Sequence, residues 1–133
     1  MSTPAAKPVR PLSPHLQVYR PQLTSVLSIL HRLTGVALAL GLPVLVAYLV
    51  ALMKGPQAYG AFTHCLHNPI AQICLFGWSF AFFYHFWAGI RHLCWDSGLF
   101  LSLKGVYATG WFVVAIALFS TAMTWAKILG WMG

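Results

Sequence analysis

His85 stands within an apolar and aromatic stretch six residues before Arg91, about 9 Å inside that stretch if it is helical. An imidazole at that depth does not easily reach water. It must face a bundle interior and find a partner, and an ionisable group in such a place is read first as functional. The plainer reading is a histidine that hydrogen-bonds a neighbouring helix as structural glue. Among functional roles, a neutral imidazole between helices is best suited to axial ligation of haem iron. His85, Gly89, His92 and Asp96 fall at i, i+4, i+7 and i+11, which puts them on one stripe. Gly89 removes a side chain where a flat macrocycle would approach. Haem propionates need neutralising near the interface, and His31, Arg32, Arg91 and His92 lie at about that depth.

A second constellation sits in Ser28-Ile29-Leu30-His31-Arg32-Leu33-Thr34-Gly35. Ser28, Arg32 and Gly35 share a helical face, with His31 beside them. Taken alone, Arg32 reads as a snorkelling flank that sets topology, and Ser28 as a hydroxyl bonded to its own backbone. Together, a hydroxyl donor and a fixed cation one turn apart can hold a quinone carbonyl and stabilise the negative charge that reduction puts on it. Asp96, the only acid in the chain, either pairs with Arg91 or Lys104 or relays protons. His64 and His67 around Cys65 look like a metal cluster, but a solvated loop explains them more simply. The three cysteines have no metal-type spacing and are not expected to form an internal disulfide.

These side chains need membrane-spanning elements to hold them. Of 133 residues, 59% are hydrophobic and 7% charged, far from the ~25% charged residues of a soluble domain. A span takes about 20 apolar residues, so the chain is expected to be an all-α membrane protein of three transmembrane helices, with no soluble catalytic domain. The spans are expected at about 25–53, 69–95 and 106–127, preceded by an extended cytoplasmic arm over 1–24. That arm contains five prolines and no apolar run, unlike a signal peptide or presequence. Pro43 predicts a kink in the first span, and the first loop has room for a short interfacial helix. The third span has no histidine, acid or basic residue before Lys127 and reads as packing, with Trp131 as an interfacial anchor.

The net charge of +7 is scattered, which argues for membrane topology and against nucleic acid. Lys7, Arg10, Arg20 and Arg32 flank the start of the first span, and Arg91 and Lys104 flank the second loop; Lys54 and Lys127 lie on the other side. The N-terminus and second loop are therefore expected in the cytoplasm. The start of the first span and the end of the second, where the polar residues gather, then share one side.

Three segments carry a resemblance to a known family: Arg-Pro-Leu-Ser-Pro-His-Leu-Gln-Val-Tyr (Arg10 to Tyr19), Ser-Ile-Leu-His-Arg-Leu-Thr-Gly (Ser28 to Gly35), and His-Phe-Trp-Ala-Gly-Ile-Arg-His-Leu-Cys-Trp-Asp (His85 to Asp96). The chain resembles the cytochrome b anchor subunits of succinate dehydrogenase, respiratory complex II. The resemblance implies half of a heterodimeric helical bundle serving the tricarboxylic acid cycle and the respiratory chain; the N-terminus reads as bacterial, so the bacterial inner membrane is expected, with the mitochondrial inner membrane as the alternative. The resemblance implies His85 as one axial ligand of haem b, with the second ligand from a partner anchor subunit. It places His31, Arg32 and His92 near the haem propionates, and Ser28 and Arg32 at a ubiquinone site. Succinate oxidation would belong to a flavoprotein subunit, with an iron-sulfur subunit carrying the electrons. Two rivals remain: a fumarate reductase anchor, and a haem-free structural or transport subunit.

Overall fold

The computed structural model describes residues 20–130; the Arg10–Tyr19 motif and Trp131 lie outside them. Four helices follow in order: α1 (Leu23–Met53), α2 (Pro56–Leu66), α3 (Pro69–Asp96) and α4 (Leu103–Ile128). Three of them, α1, α3 and α4, are long and apolar enough to cross a membrane. With 31, 28 and 26 residues, they run about 39–47 Å, past a hydrocarbon core of ~30 Å. Their ends therefore reach the headgroup region. Helix α1 begins at Leu23, inside the segment expected to be arm, and α4 begins at Leu103, three residues before the expected third span. Ser102 explains the early start, because its hydroxyl caps α4 by accepting from the Gly105 N–H at 3.2 Å.

The breaks have local causes. After α1 the backbone turns through Gly55 at φ 96°, a left-handed conformation that favours glycine, and Pro56 opens α2 where its missing N–H costs nothing. Asn68 caps α3 by accepting from the Ile70 N–H at 2.9 Å, with Pro69 next. Helix α1 continues through Pro43 without a break. The Trp78 indole donates to Ala37 O at 3.2 Å, not to Ala39 O, the group that Pro43 leaves without a donor.

The core lies where α1, α3 and α4 meet: Leu27, Tyr84, Ala88, Val113 and Ala117, with Phe80, Phe83 and Trp87 around them. Small residues on facing helices, Ala81 and Ala88 on α3 and Gly110 and Ala117 on α4, let the backbones approach, the usual means of helix packing in lipid. Tyr84, 1% exposed, donates its hydroxyl proton to Leu27 O at 2.9 Å and ties α3 to α1.

Gly41 has no side chain because the Trp78 ring occupies the place of its Cβ. Gly41→Ala is expected to push that indole off Ala37 O and cost about 1–3 kcal/mol of stability, read as a lower unfolding temperature of the detergent-solubilised protein. Gly60→Ala, where a Cβ meets nothing within 4 Å, is the control and should lose nothing.

Candidate functional site

Three of the histidines singled out in the sequence come together where α1 crosses α3. The His31 and His85 rings stack with centroids 4.2 Å apart and an interplanar angle of 11°. His92 lies 5.1 Å from His31 and 5.1 Å from Trp95, meeting the latter edge-on. His85 Nδ1 is 3.1 Å from the carbonyl oxygen of His31. A carbonyl only accepts, so this contact puts the ring proton on Nδ1 and leaves the Nε2 lone pair as a donor for a metal. His31 Nδ1 is buried with no hydrogen-bond partner, an available donor at the edge of the cluster.

Ser28 and Arg32 lie one turn apart on α1, Ser28 half-buried and Arg32 exposed. Neither side chain has a hydrogen-bond partner among the described residues, so the expected bond from Ser28 to its own backbone is not formed. Gly89 is half-buried, and a Cβ there would meet nothing within 4 Å; this space lies one turn from His85 on the same helix. His64 lies in α2, and His67 donates from Nδ1 to Thr63 O at 2.7 Å. An apolar cavity of about 480 Å³ runs from Ala37 toward α2, lined by Tyr48, Phe62 and Trp78 among others. It holds none of the histidines.

Arg91 departs from the sequence reading. It is 7% exposed and bonded to α4. Its Nε donates to Thr109 Oγ1 at 3.1 Å and its Nη2 to Val106 O at 2.9 Å, and the guanidinium lies 3.9 Å over the Trp95 ring. These contacts commit its Nε and Nη2 to α4. It does not pair with Asp96, which is exposed and forms no ion pair among the described residues. Periodicity could not have shown this, because it tells which residues share a face and not which helix the face meets. Sequence reasoning also passed over Thr34, whose Oγ1 lies 3.4 Å from His85 Nδ1. Its place inside the Ser28–Gly35 segment was the available signal.

These features define a three-span helical membrane protein with an imidazole cluster held between its first two spans. Residues 6–124 match the succinate dehydrogenase/fumarate reductase transmembrane subunit family, and the chain belongs to that family. It is 48% identical over 116 residues to the succinate dehydrogenase cytochrome b556 subunit of Rickettsia bellii, covering 87% of this chain and 90% of that protein. The cytochrome b556 subunit of Paracoccus denitrificans is 38% identical over 80% of this chain and 82% of its own length. The mitochondrial cytochrome B subunit of Schizosaccharomyces pombe is 42% identical over 84% of this chain and 65% of that protein.

Arg91→Lys keeps the charge but loses the planar fork and the stack on Trp95. It is expected to cost about 1.5–3 kcal/mol, the scale of a hydrogen bond to a charged group, seen as a lower unfolding temperature and faster proteolysis in residues 97–102. A lysine variant as stable as the natural chain would show that the fork contributes nothing.

Proposed function

We propose that this chain is the cytochrome b membrane anchor of a succinate:quinone oxidoreductase. In this reading it carries haem b jointly with a second anchor subunit and forms part of the ubiquinone-reduction site. The observation that carries the reading is the His85 imidazole, held within the bundle with Nδ1 against the His31 carbonyl at 3.1 Å and Nε2 left for iron. The names of the relatives support it, being succinate dehydrogenase cytochrome b subunits. They favour it over a fumarate reductase anchor and over a haem-free subunit.

The residues present fit a haem. His85 is an imidazole on α3 whose tautomer is set by a carbonyl, the usual arrangement for a metal-binding histidine. The space beside Gly89 admits a flat group, and the unpartnered His31 Nδ1 is a donor for a propionate. His92 and Arg32 serve the same carboxylates at the membrane border. When bound, the haem supplies reversible one-electron storage beside the quinone. A partner anchor subunit would supply the second protein ligand to the iron.

At the quinone, Ser28 donates its hydroxyl proton to one carbonyl and Arg32 stabilises the charge that reduction places on the oxygen. A flavoprotein subunit oxidises succinate to fumarate, and an iron-sulfur subunit brings the electrons to the membrane face. The helices are the membrane domain, the N-terminal arm and the α3–α4 loop face the cytoplasm, and the membrane is the bacterial inner membrane.

Two measurements test this. His85→Ala should remove or replace the b-type signal in a reduced-minus-oxidised absorption spectrum of the purified complex; an unchanged spectrum refutes the ligand assignment. Arg32→Ala should slow quinone reduction by about a hundredfold, the scale of losing one charge-stabilising donor. Succinate oxidation with an artificial acceptor should persist, and equal loss of both activities would point to misassembly instead.

A further inference from the structure

Three hydroxyls of the spans share an arrangement that bears on His85. Thr109, Ser79 and Thr34 each donate their single proton to the carbonyl one turn earlier in the same helix, at 2.8, 2.7 and 2.8 Å. This back-bonding is common for hydroxyls in apolar helices and leaves the oxygen lone pairs facing outward. In two cases a donor from another helix takes that place: Arg91 Nε on Thr109 at 3.1 Å, and Trp125 Nε1 on Ser79 at 3.3 Å. In the third, the neighbour at 3.4 Å is His85 Nδ1. The His31 carbonyl already requires a proton on that nitrogen, so the direction of donation is the same in all three.

Residues 31 to 35 hold the ring on other sides as well. His31 O is the nearer acceptor at 3.1 Å. A Cβ built on Gly35 would lie 3.0 Å from His85 Cε1, so the ring edge rests against bare backbone. Thr34 itself is buried, with 9% of its surface exposed.

We propose that Thr34 is a positioning residue for the haem ligand: its hydroxyl is the second acceptor of a three-centre hydrogen bond from His85 Nδ1, and it thereby lowers the reduction potential of the haem. This rests on His85 as the ligand. A hydrogen bond that draws on the Nδ1 proton makes the imidazole a stronger donor through Nε2. A stronger donor favours the ferric state, which carries the extra positive charge. Removing the hydroxyl weakens that preference, so the potential rises.

The test uses the assembled complex with Thr34→Val, Thr34→Ser and His85→Ala, read by spectrophotometric redox titration of the haem. Thr34→Val keeps the shape and loses the acceptor. It should shift the ferric/ferrous equilibrium about three- to tenfold toward ferrous, up to about 59 mV for a one-electron couple. Thr34→Ser keeps the hydroxyl and should titrate like the natural complex. Thr34→Ala gives the same reading if the valine variant does not assemble. An unchanged or lowered potential on losing the hydroxyl overturns the proposal, as does a serine variant shifted as far as the valine one. If His85→Ala keeps the natural spectrum, the ligand assignment falls and takes this inference with it. If His85→Ala loses the spectrum and Thr34→Val leaves the potential unmoved, the inference about Thr34 falls alone.

Discussion

A polar group inside hydrocarbon finds no water, and each one must be answered by the protein or by something the protein binds. The hydroxyls in these spans mostly return to their own helix, and four larger side chains are answered across a helix boundary. Tyr84 reaches Leu27 O, Trp78 reaches Ala37 O, Trp125 reaches Ser79 and Arg91 reaches Thr109 and Val106 O. These ties fix how the helices cross, and they depend on alanine and glycine at the contacts to bring the backbones close. Groups left without an answer are informative for the same reason. The His31 Nδ1 and the Trp87 and Trp95 indole N–H groups are buried without partners, and Ser28 and Arg32 are uncommitted. All five lie toward the end of the bundle where α1 begins and α3 ends.

The bundle is also uneven. Helix α1 is the most apolar of the three spans, yet only 6% of its most apolar stretch is buried, against 22% for α4. Leu33, Val36, Leu40 and Val46 all lie more than half exposed. In water such a face would be untenable; in a membrane it is a surface for lipid or for another helix. The tight seam is between α3 and α4, where Val113, Ala117 and Thr121 are buried. Against α1, α3 presents imidazoles, and Gly89, one turn from His85, has open space beside it. The polar cluster thus borders the least covered span.

Much of this was legible in the residues. Hydropathy and length located the three spans, and Pro69 suits the first turn of α3 by its own chemistry. His85 drew attention through depth alone, and His31 and His92 through helical spacing, and the structure brings those three rings together. What could not be read was direction. Arg91 and His92 are adjacent in sequence and so point about 100° apart on a helix, but nothing local says that one meets α4 and the other α1. Thr34 escaped notice because its partner lies 51 positions away, and its own residue type suggests only a back-bonded hydroxyl. The short distance from Ser102 to Gly105 that starts α4 early likewise depends on a cap that hydropathy does not register.

Two arginines near one membrane border show how the same side chain is put to different ends. Burying a guanidinium costs several kcal/mol unless its donors are used, and Arg91 meets that cost within the chain through a hydroxyl, a carbonyl and an aromatic face. No acid is needed, and the single acid in the sequence stays exposed. Arg32 is exposed, with its donors uncommitted among the described residues. Its position one turn from Ser28 and next to His31 sets that free charge beside the histidine cluster instead of inside the α3–α4 seam. Had the two been exchanged, the seam would lack its tie and the α1 side its cation. The division of labour between them follows from which neighbour each helix face meets, and it leaves the α1 side as the one able to answer a negatively charged group from outside the chain.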